Sequence, residues 1–185
     1  MKIKMIKQIL KLRGYKNIKN DGDEIVFKRG DGKKGRVVFI DKPKANIDDL
    51  TSILREYVEN PIHIIIVYHT MTPPSLKSFN DNIRHYFKDS ELIQHSNLLK
   101  NPLDNRMTPT GYKKLTSVEK IKLLKGYNTT ADKFPTMQPT DIMAILLGFK
   151  EGDIVEVTSH YNFTKKKVDM DMPPQITYRH VTGVC

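Results

Sequence analysis

The chain has 185 residues, of which 38% are hydrophobic and 28% charged. This composition is typical of one ordinary globular domain or two small ones. The longest apolar run, Ile62 to Tyr68, is interrupted by His63 and is too short to span a bilayer. The N-terminal stretch has no uninterrupted apolar core, so we expect no signal peptide and no secretion. Cys185 is the only cysteine, which excludes an intramolecular disulfide and indicates a reducing compartment.

Positive charge is concentrated in the first quarter of the chain. The net charge is +10, and residues 1–45 hold 14 Lys and Arg against 5 Asp and Glu. Residues 46–185 are nearly neutral, with 17 against 16. A surface that faces a polyanion would have this distribution. A solvated basic face that serves only solubility would have it too.

The first elements in chain order are a helix and a hairpin. Apolar residues at helical spacing among lysines predict a basic amphipathic helix that ends at Gly14, and they are Ile3, Ile6, Ile9 and Leu10. Packing against a sheet is the common fate of such a helix, while a membrane-surface or calmodulin-target role is also open. Two β-branched and aromatic runs, Glu24–Lys28 and Arg36–Ile40, flank a Gly/Asp/Lys turn and predict a hairpin.

Four further elements complete an α/β layer. Asn46 predicts the cap of a helix that ends at Asn60-Pro61. The stretch 62–68 predicts a strand that is apolar on both faces and therefore central in its sheet. Ser75 to Phe87 predicts an amphipathic helix, and a short strand follows near Glu91–Gln94. We therefore predict an α/β domain over residues 1–99.

An aperiodic stretch with two prolines then predicts a boundary and a second, small α+β domain over residues 100–185. Thr116 and Glu119 form a capping-box pattern for a helix that ends at Gly126. A second helix is predicted with Pro139 in its first turn, and its other signals are Asp141, Gly148 as a left-handed end, and Phe149 folding back on the last turn. Strands are predicted at Ile154–Val157 and Gln175–Val181, with a polar loop between them.

Residues for common catalytic sites do not form recognisable patterns. The six histidines lack the close pairs typical of zinc sites, and the glycines at 30, 32 and 35 lie in a hairpin turn, so they do not predict a phosphate loop. The strongest enzymatic alternative is a stand-alone metal-dependent nuclease that holds Mg²⁺ on carboxylates beside a lysine. Its available residues are Asp23, Glu24, Lys28, Asp31 and Asp41. We predict no catalytic residue, no metal and no cofactor.

The second half carries a resemblance to a known family. The stretch FPTMQPTDIMAILLGFKEGDIVEV and the closing TYR strand resemble the C-terminal part of the fifth subunit of eukaryotic-type DNA-directed RNA polymerases, shared by polymerases I, II and III, and its small archaeal counterpart. The matching positions include Pro135, Asp141, Ala144, Gly148, Lys150, Gly152, Val155, Thr177, Tyr178 and Arg179. In the first half, MIKQILKLRGY resembles the family's opening helix, and IHIIIVYHTMTPPSLKSF follows the family's order.

Several positions depart from the family pattern. Ile142 stands where proline follows the aspartate, and Glu151 replaces the arginine of a Lys-Arg-Gly turn. A longer stretch, TSHYNFTKKKVDMDMPPQ, replaces the loop Arg-Pro-Ser-Glu-Thr-Ala-Gly, so the resemblance implies no contacts for it. The first domain is shorter than in cellular members. A compact, divergent copy suggests a large DNA virus, with the protein in the nucleus or cytoplasm of the host cell or in the virion.

The resemblance implies a non-catalytic subunit with a jaw domain of nuclease-like fold near downstream duplex DNA and an assembly domain docked on the largest polymerase subunit. The expected docking residues are Pro135, Asp141, Lys150, Gly152, Tyr178 and Arg179. The expected DNA-facing residues, at the hairpin tip, are Lys33, Lys34 and Arg36. Other polymerase subunits are further expected partners, and no membrane is. A free basic DNA-binding protein is a third possibility, which leaves the second domain unexplained.

Overall fold

The computed structural model describes residues 2–57, 62–83, 87, 89–99, 109–162 and 167–183, without the side chains of 2, 161, 162, 167 and 168. The chain divides into two compact units, Met1–Lys100 and Asn101–Cys185. No helix in these ranges is both long and apolar enough to cross a membrane.

The first unit is built on one mixed sheet with helices. Its strands are β1 (Lys16–Asp21), β2 (Glu24–Lys28), β3 (Lys34–Phe39), β4 (Lys44–Ala45), β5 (His63–Tyr68), β6 (Thr70–Met71) and β7 (Ser90–Gln94). Its helices are α1 (Lys2–Leu12), α2 (Ile47–Arg55) and α3 (Pro73–Ser78), with a π-helical turn at Phe79–Ile83 and a 3-10 turn at His95–Leu98. The main sheet has the order β1-β2-β3-β5-β7, and β4 pairs with β6. The mixture of helices and sheets in the chain confirms the predicted fold class.

Strand β5 is the centre of this unit. All six of its residues are buried, and it pairs in parallel with β3 on one side and β7 on the other. One sheet face packs against α2 and α3 through a cluster that includes Leu50, Leu54, Ile64, Ile66 and Phe79. The predictions of a central strand and of the β2–β3 hairpin are confirmed.

Local signals place the helices. Helix α1 buries Met5, Ile6, Ile9 and Leu10, so packing is the fate of its apolar stripe. Asn46 caps α2 through a capping box with Asp49.

Three expectations for the first unit need correction. Strand β1 was not predicted, and α2 ends at Arg55, before the expected stop at Asn60-Pro61, which lies outside the described residues. The helix expected over 75–87 begins instead at Pro73, because Thr72 supplies the cap, and it changes to π-helical pairing at Phe79. Residues 84–86 of the expected helix lie outside the described residues.

The second unit has a four-stranded sheet in the order β8-β10-β13-β9. Its strands are β8 (Gly111–Lys114), β9 (Thr136–Met137), β10 (Ile154–Ser159), β11 (Tyr161–Asn162), β12 (Lys167–Val168) and β13 (Gln175–Val181). Its helices are α4 (Ser117–Gly126) and α5 (Ile142–Leu147), with a 3-10 turn at Ala131–Lys133. Strand β10 is antiparallel to β8 and β13, and β9 runs parallel to β13.

Helix ends in this unit follow from single residues. Thr116 and Glu119 form the predicted capping box of α4. Gly148 ends α5 with φ at +72°, and the amide of Phe149 folds back to the Ala144 carbonyl, as predicted. Asp141, however, is the N-cap of α5, so Pro139 lies before the helix and not in its first turn. Strands β8 and β9 were not predicted, and part of the expected polar loop forms the β11–β12 pair.

A buried ion pair joins distant parts of the first unit. Glu91 on β7 lies 2.8 Å from the Arg13 guanidinium, just past α1, and 3.2 Å from Nε2 of His63 on β5. All three side chains are nearly buried, with Arg13 only 2% exposed. Burial opposes ionisation of Glu91, but the charge of Arg13 and the imidazole of His63 outweigh it and lower the pKa of Glu91 to about 2.

Gly35 leaves room for the Phe27 ring, so a side chain at position 35 should destabilise the first unit. A Cβ at position 35 would overlap the Phe27 ring and would lie 2.9 Å from the His63 carbonyl oxygen. We expect Gly35→Ala to destabilise the first unit by about 2–3 kcal/mol, because both neighbours are buried. Gly30→Ala is the matched control, since a Cβ there meets nothing within 4 Å. Urea unfolding followed by circular dichroism measures both, and equal stabilities would contradict the packing.

The Glu91 pair predicts a pH dependence. The pKa of Glu91 is about 2 in the folded protein and 4.5 ordinarily. The stabilisation of the fold by the ionised Glu91 is therefore complete above pH 4.5 and is lost as the pH falls towards 2. The shift corresponds to about 3 kcal/mol. We expect Glu91→Gln to destabilise the first unit by about 3–5 kcal/mol at pH 7, because the buried Arg13 loses the carboxylate that balances its charge. The free energy of unfolding of Glu91→Gln should depend less on pH between 4.5 and 2 than that of the exposed-acid control Glu56→Gln. Identical pH profiles for the two variants would contradict this role.

Candidate interaction surfaces

Strand β13 separates the predicted docking residues onto two faces of the second sheet. Arg179 is opposite Val155, and Tyr178 is opposite Glu156, on neighbouring strand β10. Successive side chains of a strand point to opposite faces. Val155 belongs to the buried cluster, so Arg179 lies on the face of that cluster and Tyr178 lies on the other.

A cavity of about 490 Å³ brings Asp141 and Arg179 together with residues that were not predicted. It is lined by Tyr112, Thr136, Gln138 and other side chains. Burial and the Asp141 carboxylate raise the pKa of Tyr112 to about 12, although Arg179 opposes the rise. The phenol is therefore a neutral hydrogen-bond donor at physiological pH. No described carboxylate lies within ion-pair distance of the half-buried Arg179.

Asp141 caps helix α5 at the wall of this cavity. Its side chain accepts a hydrogen bond of 2.7 Å from the amide of Met143, which caps α5. Met143 and Ala144 in the first turns of that helix are buried. The position of the cavity wall therefore depends on this cap.

Tyr178 belongs to an aromatic cluster on the opposite face. Its ring centroid lies 6.2 Å from that of Tyr127 and 5.9 Å from that of Phe134, and the latter two rings are 6.1 Å apart. Its hydroxyl donates to Glu156 at 3.4 Å. Tyr127 is 64% exposed, so the cluster is open at one side. Neither Tyr127 nor Phe134 was predicted as a docking residue, although Tyr127 directly follows a predicted helix end and Phe134 directly precedes Pro135.

The remaining predicted docking residues gather at one end of β13. The Pro135 carbonyl accepts from the His180 amide at 2.9 Å, and the Gly152 amide donates to the Val181 carbonyl at 2.8 Å. Lys150 opens the turn that contains Gly152, whose φ is +86°. Pro135 and Lys150 are exposed. The six predicted residues thus occupy a cavity, an opposite face and a strand end, and not one continuous patch.

Helix α4 exposes apolar side chains. None of its residues is buried, and Val118 and Ile121 are 77% and 56% exposed. The capping box and the hydrogen bonds of Glu119 hold this helix in place. Lys113 of β8 also bonds to Glu119, at 2.6 Å.

The predicted DNA-facing residues do not form a free basic tip. Lys33 lies in the turn and contacts Asp89 at 3.3 Å, while Lys34 begins β3 and is exposed. Arg36 lies inside β3, where it pairs with Glu24 and with Asp21 at 3.5 Å. The tip assignment of Arg36 is wrong, because β3 begins two residues earlier than predicted and pairs with β2 from Lys34 onward.

The residues named for a nuclease do not converge. Glu24 pairs with Arg36 and accepts from Tyr57, and Asp31 pairs with Arg29. In the part of the chain that the structure describes, no three His, Cys, Asp or Glu side chains group as a metal site would require.

The second unit is similar to a known protein family. Residues 100–181 match the family model described as RNA polymerase Rpb5, C-terminal domain. The second unit is an Rpb5 C-terminal domain. The match confirms the resemblance noted in the sequence and supports a subunit of a DNA-directed RNA polymerase. Residues 1–99 lie outside it, and the comparison with curated proteins gives no match.

Assembly with other RNA polymerase subunits follows from an Rpb5 domain. In this domain Arg179 lines the cavity, and Tyr127 of the aromatic cluster is 64% exposed. The exposed apolar side chains of α4 lie in the same domain.

Asp141 allows its structural and electrostatic roles to be separated. Asp141→Ala removes the cap of α5, and we expect it to destabilise the second unit by about 1 kcal/mol. Asp141→Asn should cost less, because asparagine also caps a helix, although it removes the charge from the cavity. Urea unfolding followed by circular dichroism compares the two variants. Equal destabilisation by both would contradict the assignment of Asp141 as a cap.

Proposed function

We propose that this protein docks through its Rpb5 domain on the largest subunit of a multisubunit RNA polymerase and places its first unit near downstream duplex DNA. Nucleotide addition and its metal ions would belong to other chains. The family match of residues 100–181 is the observation that carries the proposal. We also propose a large DNA virus as the source, on the compactness of the first domain.

The cavity at Arg179 supports a polar docking point. A half-buried guanidinium needs a carboxylate or several carbonyl groups to offset its lost hydration. Within the described residues it has no carboxylate partner, and Tyr112 offers a neutral donor in the same cavity. We propose that an acidic side chain or carbonyl-rich turn of the largest subunit enters this cavity and binds both groups.

The opposite face supports an apolar docking point. Tyr127, Phe134 and Tyr178 offer rigid aromatic surface, the residue type that dominates protein interfaces. Pro135 and Lys150, exposed near the end of β13, extend the same proposal. Two faces of one small sheet would then be covered by the partner.

Purification of a tagged chain from producing cells tests this function. We expect the two largest polymerase subunits to co-purify with it. Arg179→Glu should lower their recovery at least tenfold, because losing one member of a buried interfacial charge pair costs about 2–5 kcal/mol. Arg55→Glu in the first unit is the matched charge-reversal control, since Arg55 is exposed and belongs to neither proposed surface.

Circular dichroism must first show that both variants are folded. Recovery of the unmodified chain without polymerase subunits would contradict the proposed function. Recovery of polymerase with Arg179→Glu at the level of Arg55→Glu would reject the cavity as a docking point and leave the function standing.

A further inference from the structure

Three lysines form a row across the first sheet. Lys28 of β2 is directly opposite Lys16 of β1 and directly opposite Lys34 of β3. Residues that face each other across antiparallel strands project on the same side of the sheet. All three side chains are exposed. The row was invisible in the sequence, because its members are separated by 12 and 6 positions.

A β-bulge adds a fourth lysine to this face. Between Lys16 and Lys19 the pairing with β2 moves three residues along β1 but only two along β2. Without the bulge, Lys16 and Lys19 would point to opposite faces. With it, Lys19 is opposite Val26, which is itself opposite Arg36. Asn17 within the bulge takes a positive φ of 54°, a left-handed conformation that asparagine tolerates better than most residues.

The lysines differ from Arg36 in their neighbours. Arg36, which lies in the same cross-strand row as Lys19, is neutralised by Glu24 and Asp21. No ion pair joins Lys16, Lys19, Lys28 or Lys34 to any residue that the structure describes. Lys16, Lys28 and Lys34 therefore lie side by side at the β2–β3 hairpin end of the sheet, and Lys19 lies in the next row of the same face, without an ion pair to a described residue.

This arrangement works against folding. Like charges directly opposite each other on adjacent strands destabilise a sheet. Because these four positions are exposed, a neutral polar residue could occupy any of them without loss of core packing. A row of lysines that weakens the fold is better explained by an anionic ligand than by stability.

We propose that the lysine row, defined as Lys16, Lys19, Lys28 and Lys34, binds the phosphate backbone of duplex DNA. Opposite Cα atoms on paired strands are about 5 Å apart, so Lys16, Lys28 and Lys34 span about 10 Å. One DNA strand presents about three phosphates over that axial length. The row has no directional hydrogen-bond pattern, so it contacts phosphates without reading sequence. Lys28 and Lys34 also line a cavity of about 660 Å³ with Arg36 and Tyr57.

This inference rests on the proposed function, which places duplex DNA near the first unit. The lysine row then replaces Lys33 and Arg36 as the DNA-facing residues. Both of those cations are already paired with carboxylates. Of the three residues expected from the sequence, Lys34 alone is kept.

Salt dependence of DNA binding by the full chain tests the row. The probe is a fluorescent 20-base-pair duplex of arbitrary sequence, titrated by anisotropy at several salt concentrations. The variant Lys16→Gln/Lys28→Gln/Lys34→Gln should lower the slope of log affinity against log salt by about 2–3 and weaken binding at least tenfold. The same three positions changed to arginine should keep both values, because the charge remains.

Two controls separate binding from folding. The triple variant Lys4→Gln/Lys11→Gln/Lys77→Gln removes equal charge from exposed positions of α1 and α3 in the same unit and should leave the slope nearly unchanged. The melting temperature of the row variant should equal or exceed that of the unmodified chain, since repulsion is removed. A lower melting temperature, or equal slopes for both glutamine variants, would overturn the proposal.

Co-purification distinguishes this proposal from the proposed function. The row variant should still recover the polymerase subunits. If it loses them while DNA affinity is unchanged, the row is a protein-docking surface and the proposal fails. If the unmodified chain recovers no polymerase but its DNA binding depends on the row, the proposed function fails and the row stands.

Discussion

Backbone hydrogen bonding between neighbouring strands fixes the register on which both surfaces of this protein depend. In the first unit, register sets Lys16, Lys28 and Lys34 side by side, and one bulge turns Lys19 to the same face. In the second unit, register places Arg179 over the buried face and Tyr178 on the other. A shift of one residue in either sheet would exchange the faces of that sheet and abolish its arrangement.

The two units use charge in contrasting ways. In the interior of the first unit, Arg13 and His63 keep the Glu91 carboxylate ionised and join α1, β5 and β7. The lysine row has no ion pair with a residue that the structure describes, and it suits a ligand that can be released by salt. The cavity of the second unit is lined by both Asp141, which caps a helix, and Arg179, the residue that we propose as a docking point. A steady attachment to protein and a weak attachment to DNA are compatible with one subunit at the downstream end of a polymerase.

Signals carried by a few neighbouring residues were predictable from sequence, and those that need a distant partner were not. The Asn46 cap, the Thr116–Glu119 capping box, the left-handed Gly148 and the buried strand β5 were predicted, because each depends on local residue types. Strand β1 was missed because KNIKND is polar and has no alternation, and only its pairing with β2 makes it a strand. Arg13 and Glu91 are 78 positions apart, and no local sequence pattern predicts that they pair. Of the docking residues, Asp141 and Arg179 share a cavity, while Tyr112 in that cavity lies on β8, whose sequence GYKK has no apolar alternation from which to predict a strand.

Cross-linking of the intact polymerase that contains this chain tests the central claim most directly. The reagent joins lysines, and the linked peptides are identified by mass spectrometry. We expect links from Lys133 and Lys150, which flank the proposed docking surface, to the largest subunit. Links from these lysines only to other proteins, with the largest subunit absent, would contradict docking through the Rpb5 domain.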